Sequence, residues 1–135
     1  MENWEAAYLA GIIDGEGTIT LTRHHSKEHR RPCISISSND LELLIYIQSI
    51  AGGRINSKKN YHPTKHKNSY TLYILKKHEV FSLLKRISPY LKIEKKRKRA
   101  QWIVKYYDKV TVRNGKYTKI MLEKKKKFEE EFFLQ

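Results

Sequence analysis

The spacing of apolar residues changes from a helical to a strand period near the start of the chain. Between Asn3 and Asp14 the apolar positions fall at helical spacing, and Asn3 is a suitable N-cap, so a helix is predicted there. From Thr18 onwards the pattern alternates, with threonines on one side and Ile19 and Leu21 on the other. This alternation predicts a strand with one polar row and one core-facing row.

The rest of the chain continues the same alternation of strand and helix patterns. The further predicted elements are a strand over Cys33–Ser37, a helix from about Asp40 to Ala51, a strand beginning at Arg54, a strand within 69–75, a helix over 76–88, a helix after the basic cluster at 92–99, and a last amphipathic helix from about Tyr117 to Phe133 with Met121, Phe128 and Phe132 on one side. The order α-β-β-α-β-β-α followed by more helix predicts an α+β fold, in which helices cover one face of a four-stranded antiparallel sheet. No stretch resembles a linker, so we expect a single domain over 1–135, with a core at about 4–108 and a helical extension at about 109–135.

The uncovered face of this sheet is predicted to carry side chains that form hydrogen bonds readily and bury poorly. These residues are Thr18, Thr20, Thr22, His24, His29, Arg31, Ser35, Arg54, Asn56, Lys58, Thr71 and Tyr73. A solvated sheet face without a partner is the alternative interpretation. Cys33 points the same way and is interpreted as a small, semi-buried strand residue.

Net charge changes the balance between these interpretations. The 28 Lys and Arg residues against 14 Asp and Glu give a formal charge of +14, which favours a polyanionic partner, foremost nucleic acid. A membrane surface is the weaker choice, because no apolar run is long enough to span a bilayer. Thr, Asn, Lys and Arg on a β-ribbon suit the reading of base edges in a DNA major groove. A single cysteine fits a reducing compartment, and we expect an intracellular location.

Two acids stand at the end of the first predicted helix, in the stretch LAGIIDGEG from Leu9 to Gly17. The negative end of a helix dipole disfavours Asp14 and Glu16, so another interaction should offset their cost. The stretch resembles the signature of the LAGLIDADG homing endonucleases. SPYLKIEKKRKRAQ, at 88–101, is similar to the Pro-aromatic-Leu and basic segment of that family, and the resemblance spans about residues 4–108.

The resemblance implies a homodimer, because the chain has one motif and no internal repeat. In the family two motif helices pack together across a two-fold axis. Ala7, Ala10 and Gly11 would offer the small surface needed for close helix packing, and Asp14 would lie at the same interface in a supporting, locally hydrogen-bonded role. The alternative is that Gly11 packs only on its own sheet. The implied target is double-stranded DNA with a nearly palindromic sequence.

The resemblance also implies a metal site. It assigns the carboxylate of Glu16 and the main-chain carbonyl of Gly15 as ligands of Mg²⁺, with Mn²⁺ able to substitute and Ca²⁺ supporting binding without cleavage. Gly15 and Gly17 are expected to give the backbone freedom to turn from helix into strand.

The resemblance implies two further catalytic residues, whose positions match the family pattern less directly than that of Glu16. The family places a lysine after the Pro-aromatic-Leu stretch, where alignment without gaps gives Glu94; Lys95 is the nearest candidate, and Lys96 fits after a small shift. Alternatively the whole basic cluster only binds phosphates, and Lys96 is counted among the DNA-binding residues. Ser38, or else Asn39, fills the position of a polar residue that organises water.

The sequence therefore predicts a site-specific, metal-dependent endonuclease that hydrolyses one phosphodiester per DNA strand as a homodimer. The alternatives are an RNA maturase that aids intron splicing and a DNA-binding protein that has lost cleavage. The acid at Glu16 favours the nuclease, because a non-cleaving protein does not need a carboxylate there.

Overall fold

The computed structural model describes residues 1–58, 61–62 and 64–135, and its element order is the predicted one. The helices and strands are α1 (Asn3–Glu16), β1 (Gly17–Thr22), β2 (Arg31–Ser38), α2 (Leu41–Ala51), β3 (Arg54–Ser57), β4 (Tyr70–Ile74), α3 (Lys77–Ile87), α4 (Glu94–Tyr106) and α5 (Lys119–Leu134), with short 3-10 turns at Ser88–Tyr90 and Asp108–Val110.

The four strands form an antiparallel sheet in the order β1-β2-β4-β3. The aliphatic row predicted to face inward is confirmed, because Ile34 pairs with both Ile19 and Ile74, and all three are at most 1% exposed. These side chains belong to one buried cluster with residues of α1, α2, α3, α4 and α5. Helices thus cover one face of the sheet, and the opposite face carries the polar row.

Helix α1 divides lengthwise into a buried and an exposed side. Ala6, Leu9, Ala10 and Ile13 are completely buried, and their three- and four-residue spacing places them on one side of the helix. The N-cap is Glu2, whose backbone N–H donates to Glu5 Oε1 at 2.9 Å in a capping box. The prediction of Asn3 as the cap was therefore wrong by one residue.

Helix α5 packs on the same core as the preceding elements. Phe128 and Phe132 are buried as predicted, and the Trp102 indole N–H donates to the Phe128 carbonyl at 3.2 Å. Arg30 Nη1 donates to Glu129 Oε1 at 2.8 Å, which ties the β1–β2 connection to this helix. Among the described residues, no helix is long and apolar enough to cross a membrane.

Candidate metal centre and nucleic-acid interface

The end of α1 is held by the start of α4, and Asp14 makes the connection. Its two carboxylate oxygens accept the backbone N–H groups of Lys92 and Ile93, at 2.8 and 3.1 Å. Ile93 is the N-cap of α4, so the charge of Asp14 lies at the positive end of a second helix dipole. The cost expected for this acid is thus offset inside the chain. Asp14 is thus hydrogen-bonded within its own chain, and its role at a dimer interface stays a prediction.

Lys96 supplies the cation that the end of α1 lacks. Its ammonium group donates to the carbonyl oxygens of Ile13 at 2.7 Å and Asp14 at 2.8 Å. Two charge-assisted bonds to the last turn of a helix stabilise both its free carbonyls and its dipole. The half-buried Lys96 is therefore engaged with the motif helix, and its assignment to DNA binding stays a prediction.

Glu16 differs from Asp14 in having no such partner. It is the last residue of α1 and is exposed, and within the described part of the chain no hydrogen bond or ion pair engages its carboxylate. A cavity of about 380 Å³ lies beside it, lined also by Ser38, Asn39 and Asp40. Ser38 Oγ accepts the Asp40 N–H at 2.9 Å, which leaves its own hydroxyl proton available to a bound water. The structure therefore places Glu16 beside Ser38 and Asn39, the two alternatives for the polar residue expected there.

The two glycines around Glu16 serve different purposes from the one expected. Positive φ angles occur among the described residues only at Gly52, Gly53 and Gly115, so neither motif glycine uses left-handed backbone. Gly17 is required by close approach, because a Cβ there would lie 2.8 Å from Ile13 Cα. Gly15 is exposed, and a Cβ there would have no described atom within 4 Å. A small residue at Gly15 leaves the backbone beside Glu16 accessible.

The uncovered sheet face contains most of the residues predicted for it. Register confirms the shared orientation, since Ser35 pairs with Thr18 on one side and Tyr73 on the other, and Tyr73 pairs with Arg54. The exposed members of the predicted set are Thr18, His24, His29, Arg31, Arg54, Asn56 and Lys58, and the half-buried ones are Thr20, Thr22, Ser35 and Tyr73.

Thr71 is an exception to the predicted set. It points to this face but is only 3% exposed, and its hydroxyl bonds to Ser37 Oγ at 2.8 Å. It lies on the central strand β4, where it pairs with Ser37 on one side and with Asn56 on the other. Thr71 is thus a structural residue in this chain, which corrects the prediction of a direct base contact.

His29 contacts the C-terminal extension and lies outside the sheet itself. Its ring packs 4.3 Å from the ring of Tyr117, between the β1–β2 connection and the segment before α5. It therefore borders the sheet face only through its loop. Sequence spacing did not reveal this contact, because the two residues are far apart in the chain.

The two lysines considered for catalysis occupy different environments. Lys95 is exposed on the first turn of α4, whereas Lys96 reaches the end of the motif helix. Glu94, which direct alignment placed at this position, pairs instead with Lys98 Nζ at 2.8 Å, and this hydrogen bond lowers the pKa of its carboxyl. The structure therefore places Lys96 nearest the motif, and a catalytic role for Lys95 stays a prediction.

The small residues of α1 lie on both sides of the helix. Ala7 and Gly11 are exposed on the side opposite the core, and a Cβ at Gly11 would have no described atom within 4 Å. Gly11 thus does not pack on its own sheet. Ala10 is completely buried in the core of its own chain, which corrects its assignment to the helix-pairing surface. The exposed aromatic residues Trp4 and Tyr8 extend that surface, although neither was predicted to belong to it.

Comparison with known proteins gives one family. The profile of the LAGLIDADG-like domain matches residues 3–131. The intron-encoded DNA endonuclease ai2b of Dictyostelium discoideum is 29% identical over 108 residues, which cover 80% of this chain and 40% of that protein. The chain thus spans well under half the length of this curated relative.

Solved structures show the same fold. The homing endonuclease I-CvuI, in complex with its target in the presence of Ca, has a TM-score of 0.70 at 17% identity, covering 98% of this chain and 82% of that one. The archaeal intron-encoded homing endonuclease I-Vdi141I, complexed with DNA, has a TM-score of 0.55 at 18% identity over the whole of both chains. With the family match across the motif helix, the sheet and α5, the chain belongs to the LAGLIDADG-like domain family.

Proposed function

We propose that the chain is a site-specific double-strand DNA endonuclease that acts as a homodimer with a divalent metal ion and hydrolyses one phosphodiester in each strand. The observation that carries the proposal is the Glu16 carboxylate, which is exposed and, within the described part of the chain, unengaged where the motif helix meets the uncovered sheet face. By contrast, the Asp14 carboxylate and the carbonyls of Ile13 and Asp14 at the same helix end have partners within the chain. A free carboxylate at that position has a use when a cation and a phosphate occupy the same place.

The uncovered face supports DNA as the substrate. It presents hydroxyl, amide and guanidinium groups on four strands, and the chain carries a formal charge of +14. Such groups read base edges in the major groove, and the net charge supplies the sequence-independent attraction to phosphates. The named relatives, an intron-encoded DNA endonuclease and endonucleases solved with DNA, favour the same substrate class.

Dimerisation follows from the incompleteness of the site in one chain. Within the described residues, no group of three or more His, Cys, Asp and Glu side chains is placed to hold a metal ion. Glu16 and the Gly15 carbonyl would therefore need oxygen ligands from a partner chain and from the DNA phosphate. The exposed side of α1, with Ala7 and Gly11, permits the close approach of a second motif helix that would bring two such sites together.

The donor set fits Mg²⁺, which prefers carboxylate, carbonyl, water and phosphate oxygens. When bound, the ion lowers the pKa of a water and stabilises the leaving oxygen. Ser38 and Asn39 line the cavity next to Glu16 and would orient the attacking water. Lys96 and the N-terminus of α4 fix the last turn of α1, so Glu16 projects from a rigid support. Mn²⁺ would substitute for Mg²⁺, and Ca²⁺ would support binding without cleavage.

Selection from a randomised duplex DNA library tests the proposal. We expect Mg²⁺ to give cleaved products with a nearly palindromic consensus and Ca²⁺ to give the same consensus among bound but intact duplexes. Sedimentation should show about twice the monomer mass of 16.1 kDa. Binding without cleavage in Mg²⁺ and Mn²⁺ would support a non-cleaving binder, and enrichment only from an RNA library would support a maturase; either result contradicts the endonuclease.

A further inference from the structure

The end of the uncovered face that is farthest from Glu16 contains a second cavity, of about 280 Å³. Glu16 adjoins Gly17 at the start of β1, whereas this cavity lies beside the pair of Thr22 with Arg31 at the other end of that strand. Cys33, Tyr73 and Leu75 contribute apolar surface to it. The cavity is therefore part of the predicted DNA-reading face but distinct from the candidate metal site.

Strand register explains how the apolar surface arises. Cys33 pairs with Thr20, so its side chain is directed to the uncovered face, yet it is only 4% exposed. Leu75 directly follows β4 and is half-buried. Burial raises the pKa of the Cys33 thiol to about 11, so the sulfur carries no charge at neutral pH. An uncharged buried thiol behaves as a small apolar group, so Cys33 and Leu75 together give this cavity an apolar surface without charge.

Three arginines line the cavity around this apolar surface. Arg23 follows β1, Arg31 begins β2 and Arg54 begins β3, and all three are exposed. Within the described part of the chain, the guanidinium groups of Arg31 and Arg54 engage in no ion pair or side-chain hydrogen bond. Their donors are thus available to acceptors outside the chain.

An apolar surface lined by guanidinium groups matches one feature of the major groove. The C5-methyl group of thymine or 5-methylcytosine is the apolar group that bases present there, and guanine presents the paired acceptors O6 and N7 that suit arginine. We propose that Cys33 and Leu75 receive the C5-methyl group of one pyrimidine in each half of the DNA target, next to guanines contacted by Arg31 and Arg54. This inference rests on the proposed function and specifies which bases the site selects.

The position of the cavity predicts where this pyrimidine lies. The Thr20 and Thr22 rows are about 10–17 Å from Gly17 along the strand at roughly 3.3 Å per residue. At about 3.4 Å per base pair, the selected pyrimidine lies about three to five base pairs from the phosphate that Glu16 faces. Its symmetry mate lies at the same distance in the other half-site.

A single-base scan of the wild-type protein tests the inference. The probe is the duplex enriched from the library in Ca²⁺, with each thymine replaced in turn by deoxyuridine, which removes only the methyl group. We expect one position in each half-site to raise Kd by about fourfold, the effect of losing one buried methyl group. A parallel series replaces each cytosine by 5-methylcytosine. If the selected methyl group belongs to thymine, Kd stays unchanged throughout this series. If it belongs to methylated cytosine, Kd falls at one position.

Two variants separate the cavity from the rest of the face. Cys33→Ser places a hydroxyl group in the cavity. The ratio of Kd for the duplex without the methyl group to Kd for the duplex with it should then fall from about four to about one. Ser35→Ala lies on the same strand and face but does not line the cavity, so it should change the Kd of both duplexes equally and keep their ratio.

The inference is overturned if both base series are neutral with the wild-type protein, or if Cys33→Ser keeps the full preference. The base series needs no variant, so a folding defect in Cys33→Ser does not prevent the test. Failure to enrich any DNA would instead overturn the proposed function and this inference with it, which distinguishes the two failures.

Discussion

The two faces of the sheet differ in how far the chain's own contacts explain their sequence. On the covered face, Ile34, Ile36, Leu72 and Ile74 are completely buried against helices, so packing accounts for each of them. On the uncovered face, Arg31 and Arg54 meet no partner in the described residues, and packing explains neither. The covered face thus specifies the fold, and the uncovered face carries the residues to which the proposed function assigns DNA binding.

The motif helix ends at the border between these faces, and its two acids show the same contrast. Asp14 is bound by the start of α4 and belongs to the internal structure, whereas Glu16, two residues later, has no partner among the residues that the structure describes. Residues on the covered side should therefore govern stability, and residues on the uncovered side should govern binding and cleavage.

The largest stability effect is expected on the covered side at the C-terminal helix. Phe132→Ala removes a completely buried ring from the core and should lower the free energy of unfolding by about 3–5 kcal/mol. Phe133→Ala is the matched control, because that ring is 43% exposed. Urea denaturation measures both. Equal effects would mean that α5 is not part of the cooperative core.

A smaller stability effect is expected at the motif itself. Gly17→Ala would place a Cβ 2.8 Å from Ile13 Cα, where only a backbone shift can relieve the contact, and should cost about 1–3 kcal/mol. Gly15→Ala meets no described atom within 4 Å and should leave stability unchanged or raise it by up to about 1 kcal/mol. If thermal unfolding ranks the two variants the other way, steric approach does not explain Gly17.

Lys125 provides a pH-dependent test of the covered side. Its side chain is 2% exposed, and its ammonium group donates to Thr111 Oγ1 at 2.6 Å and lies over the ring of Tyr107. Burial lowers the pKa of Lys125 from 10.5 to about 8, although the nearby charges of Glu129 and Asp108 raise it. Between these two pKa values the unfolded state binds more protons, so this group makes stability rise with pH from about 8 to about 10.5.

Lys125→Met should lack this contribution. As the pH rises from about 8 to about 10.5, the free energy of unfolding of the wild type should therefore increase relative to that of the variant. Chemical denaturation at a series of pH values measures the difference. A pH-independent difference would mean that Lys125 titrates normally in the folded protein.

The smallest expected effect concerns a single phosphate contact on the uncovered side. Lys58→Ala should make the slope of log Kd against log salt concentration shallower by about one. The loss of DNA affinity between 50 and 200 mM salt should therefore be about fourfold smaller for the variant than for the wild type. Lys85→Ala on α3 is an exposed control on the covered side. If Lys85 changed the slope and Lys58 did not, the assignment of the two faces would be reversed.

Residue spacing was sufficient to predict the fold. Alternation placed Leu72 and Ile74 inward and Tyr73 outward, as the register confirms, because a period of two depends only on local geometry. Helical spacing also contained the signal that was missed at Ala10, which lies four residues after Ala6 and three before Ile13 on the buried side.

The site could be predicted only in part. The motif located Glu16, and the wider resemblance located Ser38, and both residues line one cavity. The partners of Asp14 lie 78 and 79 residues away and use backbone N–H groups, which no side-chain pattern reveals. The burial of Thr71 and Cys33 depends on their place in the central strands β4 and β2, and strand order is not encoded in a single strand's pattern.

Cleavage by Glu16→Gln tests the central claim most directly. With the selected duplex, the variant should cleave in Mg²⁺ roughly a thousandfold more slowly or worse, because metal binding supplies several kcal/mol of transition-state stabilisation. Its Kd in Ca²⁺ should stay close to the wild-type value or fall, and Glu123→Gln, an exposed acid on α5, should match the wild type in both measurements. Wild-type cleavage by Glu16→Gln would contradict the assignment of this carboxylate as the metal ligand.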